Sequence, residues 1–300
     1  MITYVKEISF YDYLLGSKMP LPPLGTYYVR HSLTRDSIII GAHLEERTVG
    51  IAVIEFIPKP KLAYVFVEEN FRQQGIGTQL VKAALTHAGE KSIAEVETCV
   101  IMQNEYGEVI DHILRKIGFE MIETATIIRG ANDERCRRIW DVFMREKGKR
   151  ICSKFIGRGY KTLPFSKAST VTFDRLKASI GREFASTLNP FSYVSNQNDR
   201  IVPEYSYITL KNDDPVAFVI VTTVDDKNLV FQQLSTALGH QGNGIFLLPF
   251  AAFAERFLGG TYGKVSAVIF DKNVKMQRLM HSFIGSLAES IKTQNFYQYK

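Results

Sequence analysis

The sequence is poor in cysteine, with three in 300 residues, and holds one tryptophan. Cys99, Cys136 and Cys152 are odd in number and lack metal-ligand spacing, so neither a disulfide framework nor a metal site is expected. Reduced thiols in a cytoplasmic protein are the expectation. No apolar run is long enough to span a bilayer, and no basic segment followed by a long apolar core opens the chain, so no membrane anchoring and no signal peptide are expected. The net charge of +6 is modest and its basic residues are scattered, which argues against a nucleic-acid partner but suits an anionic cofactor. What remains, 45% hydrophobic and 23% charged residues, is the make-up of a globular protein with room for about two domains.

The stretch 62–88 carries the strongest local signal. Residues 62–67 are apolar, aromatic or β-branched, as in a buried strand. Arg72, Gln73, Gln74, Gly75, Ile76, Gly77 and Thr78 follow as a glycine-bearing loop. Ile76, Leu80, Val81, Ala84, Leu85 and Ala88 then recur at helical spacing. A strand, loop and helix in this order aim backbone N–H groups at one point, where the helix dipole is positive, so the loop predicts an anion cradle suited to phosphates. It is not a dinucleotide fingerprint, since Leu80 stands where the third glycine belongs, and no Gly-Lys-Ser/Thr follows to make a P-loop.

The loop, Arg72-x-x-Gly75-x-Gly77 after an apolar strand, resembles the pyrophosphate loop of the GNAT superfamily of N-acetyltransferases. Downstream, Asn104, a helix and then Ile117-Gly118-Phe119 add a second mark of that family. The resemblance implies acetyl-CoA as co-substrate. Its pyrophosphate would lie on the N–H groups of residues 72–78 with charge from Arg72. Its pantetheine arm would pair with backbone groups near Phe66 and Val67, and Asn104 would touch the arm or cap the helix. The acceptor implied is a small-molecule or peptide amine.

The resemblance also implies a base to deprotonate the amine and a donor to protonate the leaving thiolate. Lys61 and Ala63 occupy the positions where the family often carries a Glu or His, and Leu114 occupies the place of its usual tyrosine. Glu55, in the neighbouring strand, and Tyr106, at the start of the last helix, are the expected replacements, with Glu97 a third candidate. A rival expectation is an acyl-CoA sensor or pseudoenzyme without turnover, and transfer of a longer acyl group is a third.

Around this centre the pattern predicts strands over 37–42, 50–56, 94–102 and 119–128, a short helix over 10–15, a helix over 105–116 and a charged helix over 132–149. The second half repeats the first. One constant offset pairs Val53 with Ile220, Leu62 with Leu229, Gly75 with Gly242, Gly77 with Gly244 and Gly118 with Gly285. On that offset Arg72 becomes Gly239 and Lys82 becomes Pro249, so the second loop is expected to lose its cation and its geometry, with a helix that starts at Pro249.

The fold expected is therefore α/β: two tandem acetyltransferase-like domains, each a mixed, mostly antiparallel sheet flanked by helices. The expected boundaries are 1–130 for the acetyl-CoA-binding domain, 131–150 for a connector helix and 151–300 for the degenerate copy.

Overall fold

A computed structural model describes residues 3–9, 11–13, 19–32, 36–57, 59–193, 200–223 and 225–300. The chain divides into two compact units. The first comprises Met1–Ala125 with Lys292–Lys300, and the second is Thr126–Ile291.

In the first unit, β1 (Thr3–Ile8), β2 (Ser37–Leu44), β3 (Arg47–Glu55) and β4 (Lys61–Val67) form an antiparallel meander. The middle of β3 is buried throughout, because both faces of the sheet are covered. On one face α2 (Ile76–Glu90) and α3 (Gly107–Ile117) bring Leu80, Val81, Ala84 and Leu114 onto Ile40, Ala52, Ile54 and Leu62. On the other, Met19 and Val29, the latter from α1 (Pro23–His31), pack on Ile8, Ile39, Ile51 and Val53. β5 (Val96–Ile101) runs parallel to β4. Its other edge is taken by residues 294–299 of β13 (Ala288–Tyr299), antiparallel and in register from Gln294↔Ile101 to Tyr299↔Val96.

The sequence predicted that the strand over 119–128 would close the first domain. Instead that strand, β6 (Glu120–Ala131), leaves the first unit after Ala125 and neighbours β12 (Lys264–Phe270) in the second. β13 returns and supplies the fully buried Tyr297 to the first core. Strand order is a long-range property that local periodicity does not encode. The division thus differs from the expected boundaries at 130 and 150.

The second unit orders its strands β6-β12-β11-β10-β9-β7, with β8 (Arg200–Ile201) beside β10. The others are β7 (Tyr160–Pro164), β9 (Tyr207–Lys211), β10 (Asp214–Thr223), β11 (Asn228–Thr236) and β12 (Lys264–Phe270). The helix predicted over 132–149 is longer. It runs as α4 (Glu134–Phe143), one wider turn (Met144–Gly148) and α5 (Lys149–Ile156). Asp133 caps it by accepting from the Cys136 N–H at 2.7 Å. Its Cys136, Trp140 and Met144 sit in one core with Val219, Val221, Leu229 and with Phe250, Phe253 and Phe257 of α7 (Leu247–Leu258). The connector is therefore part of the second unit. α6 (Thr170–Ser179), α8 (Val274–Leu279) and the short α9 (Gly285–Leu287) complete it. Of the helix predicted over 10–15, residues 11–13 are helical, and 10, 14 and 15 lie outside the described residues.

Candidate active site

β4 and β5 are joined by a single rung, Lys61↔Glu97. Two further bonds hold the same end: the Glu97 N–H donates to Pro60 O at 3.0 Å and the Thr98 hydroxyl donates to Leu62 O at 2.8 Å. Beyond Leu62 the strands part. The break begins at a bulge. Val53 faces Tyr64 and Ile54 faces Leu62, so Ala63 is the extra residue of β4 and bends the strand away from β5. The gap therefore opens toward Val67 and the loop at residues 72–78.

That loop has the backbone a phosphate site needs. Gln73 (φ 61°) and Gly75 (φ 79°) are left-handed on either side of Gln74, which curls successive N–H groups inward. For glutamine this conformation is costly, a sign that the loop is held for a purpose. A Cβ on Gly75 would meet nothing within 4 Å, so its glycine serves the left-handed turn. Gly77 is different. It is helical, and a Cβ there would lie 3.3 Å from Ile113 Cδ1, so its glycine lets α2 approach α3. The first i→i−4 bond of α2 runs from the Gln79 N–H to Gly75 O, which leaves the N–H groups of Ile76, Gly77 and Thr78 ahead of the ladder. No side chain caps them and no acidic residue stands in the first turn. The positive end of the helix is unopposed.

Arg72 lies along the edge of the gap. Its Nε–H donates to Val67 O at 2.9 Å, its guanidinium stacks 4.2 Å from the Tyr106 ring centroid, and it also donates to the Tyr106 hydroxyl. Phe66 lies under the same guanidinium at 5.8 Å. So Phe66, Val67, Arg72, Tyr106 and the loop are brought together. The Tyr106 hydroxyl donates to Glu105, and that carboxylate holds its pKa above the ordinary phenol value. Asn104 does not cap α3, whose N-cap is Tyr106. Its Oδ1 accepts from Lys292 Nζ at 3.1 Å instead.

Glu55 is not part of this group. It faces Lys61 across the β3–β4 ladder, six residues before Val67, which is ~20 Å along the strand. Its neighbour there is Tyr28 of α1. Burial raises the Tyr28 pKa, and Lys61, Glu55 and Cys99 all lie close enough to act on its charge. The closed end of the gap therefore carries a phenol, a carboxylate and an ammonium from three separate elements. Tyr28 continues as an aromatic row through Tyr64, at 5.8 Å, and Phe66. Burial pushes the Tyr64 hydroxyl up to about 12. Sequence reasoning missed Tyr28, which carries no motif and reaches the site only through the packing of α1. Glu97 is paired with Lys59 at 3.1 Å on the surface.

The second unit repeats this layout with different partners from those expected. Its bulge falls at Gln232, with Ile220 facing Gln233 and Val221 facing Phe231. Its β11–β12 pairing ends at Phe231↔Ala267, as the first ends at the bond between Leu62 and Thr98. Its left-handed pair is Gly242 (φ 79°) and Gly244 (φ 81°), matching Gln73 and Gly75. Each partner lies two residues beyond the constant offset. The structural counterpart of Arg72 is thus Gln241, not Gly239. Its Nε2 donates to Thr236 O at 3.3 Å as Arg72 does to Val67 O, and Lys275 Nζ donates to its Oε1 at 2.7 Å. The loop geometry is kept, and a cation stands there, supplied by α8 rather than by the loop. Both corrections reverse the expectation of a lost cation and lost geometry. Phe246 replaces Gly77, and α7 begins at Leu247, two residues before Pro249. Leu247 and Leu248 bond three residues back, to Gly244 O and Ile245 O, because the proline removes the N–H that would start an α-helical ladder.

Among the described residues, no cluster of three or more His, Cys, Asp or Glu is set to hold a metal, and no helix is long and apolar enough to cross a membrane.

Residues 9–107 match the acetyltransferase (GNAT) family, and the match spans β4, the gap and the loop. The family it points to is one of acetyl-CoA-dependent acyltransferases. No curated protein matches the chain. Among solved structures, the whole fold is similar to a tandem GNAT protein from the clavulanic acid biosynthesis pathway, with TM-score 0.64 and 12% identity over 99% of this chain and 98% of that one. It is also similar to a GCN5-related N-acetyltransferase from Sphaerobacter thermophilus, with TM-score 0.62 and 11% identity over 99% and 95%. A third is the GCN5-related glucosamine N-acetyltransferase region of a fungal multi-domain β-N-acetylglucosaminidase, with TM-score 0.67 and 13% identity. There the alignment covers 99% of this chain but 38% of the fungal one. At these identities the likeness is one of fold.

Proposed function

We propose that the first unit is an N-acetyltransferase that takes acetyl-CoA and acetylates an amine. The observation that carries this reading is the gap between β4 and β5, closed after one rung and opening onto an uncapped helix N-terminus. The N–H groups of residues 73–78 and the guanidinium of Arg72 would hold the pyrophosphate, with the Thr78 hydroxyl beside them. The backbone of Phe66 and Val67 would pair with the pantetheine arm, and Asn104 stands on the opposite rim. Bound acetyl-CoA supplies an acyl thioester.

The remaining chemistry falls to the closed end. A primary amine must lose a proton, and the Glu55 carboxylate is the acceptor proposed there. The half-buried Tyr28 phenol, its pKa raised by burial, stays protonated at neutral pH and is the proposed donor to the leaving thiolate. Tyr106 is at the phosphate end, so its proposed role shifts from acid to holding Arg72 in place. The second loop is proposed not to take CoA: it lacks an arginine, carries Phe246 in place of Gly77, and its first turn is tightened before Pro249.

Calorimetry with acetyl-CoA tests the binding, with one site per chain expected. A panel of amines, including glucosamine, polyamines, amino acids and peptides, tests turnover. Binding at one site with no thiol release on any amine would favour the sensor reading instead.

A further inference from the structure

The second unit contains a pocket of about 620 Å³. It lies in the gap between β11 and β12 and continues behind the strands, between α7 and α4. Phe231 and residues 265–270 line it along the sheet, and Trp140, Phe250, Phe253 and Phe257 line it from the helices. Following β12 for those six residues makes it ~16 Å long. A volume of that size spread over that length is a channel a few carbon atoms across. It falls within the range of about 300–1,000 Å³ that small-molecule sites occupy.

Its lining is mostly apolar, with Gln232, Gln233 and Ser266 as polar residues along the strands and Lys272 at its border. There Lys272 is exposed, and its ammonium sits 5.3 Å from the Phe270 ring, both residues bordering the pocket. A mostly apolar channel bordered by an ammonium suits a long unbranched chain ending in an acyl or carboxylate oxygen. The space between α7 and α4 lies behind the strand edges, so a pantetheine arm paired to those edges would not fill it. An alkyl chain would.

We infer that the second unit binds a long-chain fatty acyl group in the channel between β11, β12, α7 and α4, with its carboxyl end at Lys272. This goes beyond acetyl transfer in the first unit and does not depend on it.

Trp140 is the chain's only tryptophan and lines the pocket, so its fluorescence reads occupancy in the intact protein. Titration with dodecanoate is expected to change Trp140 emission saturably. From hexanoate to dodecanoate, affinity should rise by up to about fourfold per added methylene. Ala254→Phe puts a ring into the channel and should abolish the response while the melting temperature holds or rises. Should that variant fail to fold, Lys272→Glu is the second test. It should weaken dodecanoate about tenfold and leave dodecanol unchanged. Dodecanoyl-CoA forms the other arm: tighter binding than dodecanoate assigns the site to the thioester, and weaker binding assigns it to the free acid. No saturable response to either probe, or affinity independent of chain length, overturns the inference. So does an acetyl-CoA effect on Trp140 equal to that of dodecanoyl-CoA.

Discussion

The phenol of Tyr297 donates its hydrogen to the carboxylate of Asp111, a residue 186 positions earlier in the chain. Asn295 Nδ2 bonds the same phenol at 3.2 Å, and Arg115 bonds Asp111 at 3.0 Å. This cluster fastens β13 to α3, and the Tyr297 ring is fully buried in the first core. Deleting residues 292–300 should therefore unfold the first unit. A large buried ring alone is worth about 3–5 kcal/mol, and the freed edge of β5 adds to the loss. A fragment of residues 1–130 should fail for the same reason. Hydrogen exchange on α2 and β3 checks both, and native-like protection in either protein would contradict the account.

Asp111 also predicts a pH dependence. Burial would push its carboxyl up, but the bonds from Arg115 and Tyr297 outweigh burial and hold it below the ordinary carboxylate range. A lowered folded pKa contributes stability that is present above the unfolded value of about 3.9 and is lost as pH falls through the folded value. Asp111→Asn should thus be less stable than the parent at pH 7, by about 1–3 kcal/mol. The difference should shrink below pH 4. Urea melts across pH 3–7 measure it, and a constant difference would show that the charge is not what matters.

Arg72→Ala should weaken acetyl-CoA by about 1.5–3 kcal/mol, the worth of a charge-assisted phosphate contact. Pantetheine analogues without phosphates should be nearly unaffected. If both ligands weaken alike, Arg72 serves through its bond to Val67 O, holding the strand edge.

Gly77→Asp places a carboxylate among the N–H groups ahead of α2, where it repels phosphate. Its Cβ needs a shift of only a few tenths of an ångström by Ile113. Acetyl-CoA binding should be lost while circular dichroism is unchanged. Gly244→Asp lies in the second loop and should leave that binding intact. Loss of binding in a folded Gly244→Asp protein would move the cofactor to the second unit.

Tyr28→Phe separates the two ends of the gap. Acetyl-CoA affinity should stay the same and kcat should fall by about 10²-fold or more, the usual worth of a positioned proton donor. Tyr106→Phe should do the reverse, weakening acetyl-CoA with little change in kcat. An unaltered kcat in Tyr28→Phe would remove the phenol from the mechanism.

The loop at residues 72–78 was legible because a strand, two glycines and a helical apolar stripe are all local patterns. The repeat was legible too, yet its register was not. The second copy gains two residues between β10 and β11 and returns them between β12 and α8. A constant offset therefore fits both ends and fails across the loop, which is how Gln241 was hidden behind Gly239. At α8 the constant offset holds again, since Asn273, which caps it by accepting from the Met276 N–H at 3.2 Å, stands opposite Tyr106, the N-cap of α3, and not opposite Asn104. Tyr28 and Tyr297 were illegible for another reason. Each acts across a tertiary contact, and nothing in the residues beside them marks it.

The return of β13 to the first unit sets a timetable for synthesis. A ribosome releases the strands, loop and helices of that unit early, but the edge of β5 and the cavity meant for Tyr297 stay open until residue 300 has emerged. At roughly 5–20 residues per second, that delay is on the order of ten to thirty seconds. Throughout it, a nascent chain exposes an unpaired strand edge above an unfilled apolar core, and the second unit has to be made before the first can close. Of the two units, the one whose synthesis starts first is the one that closes second.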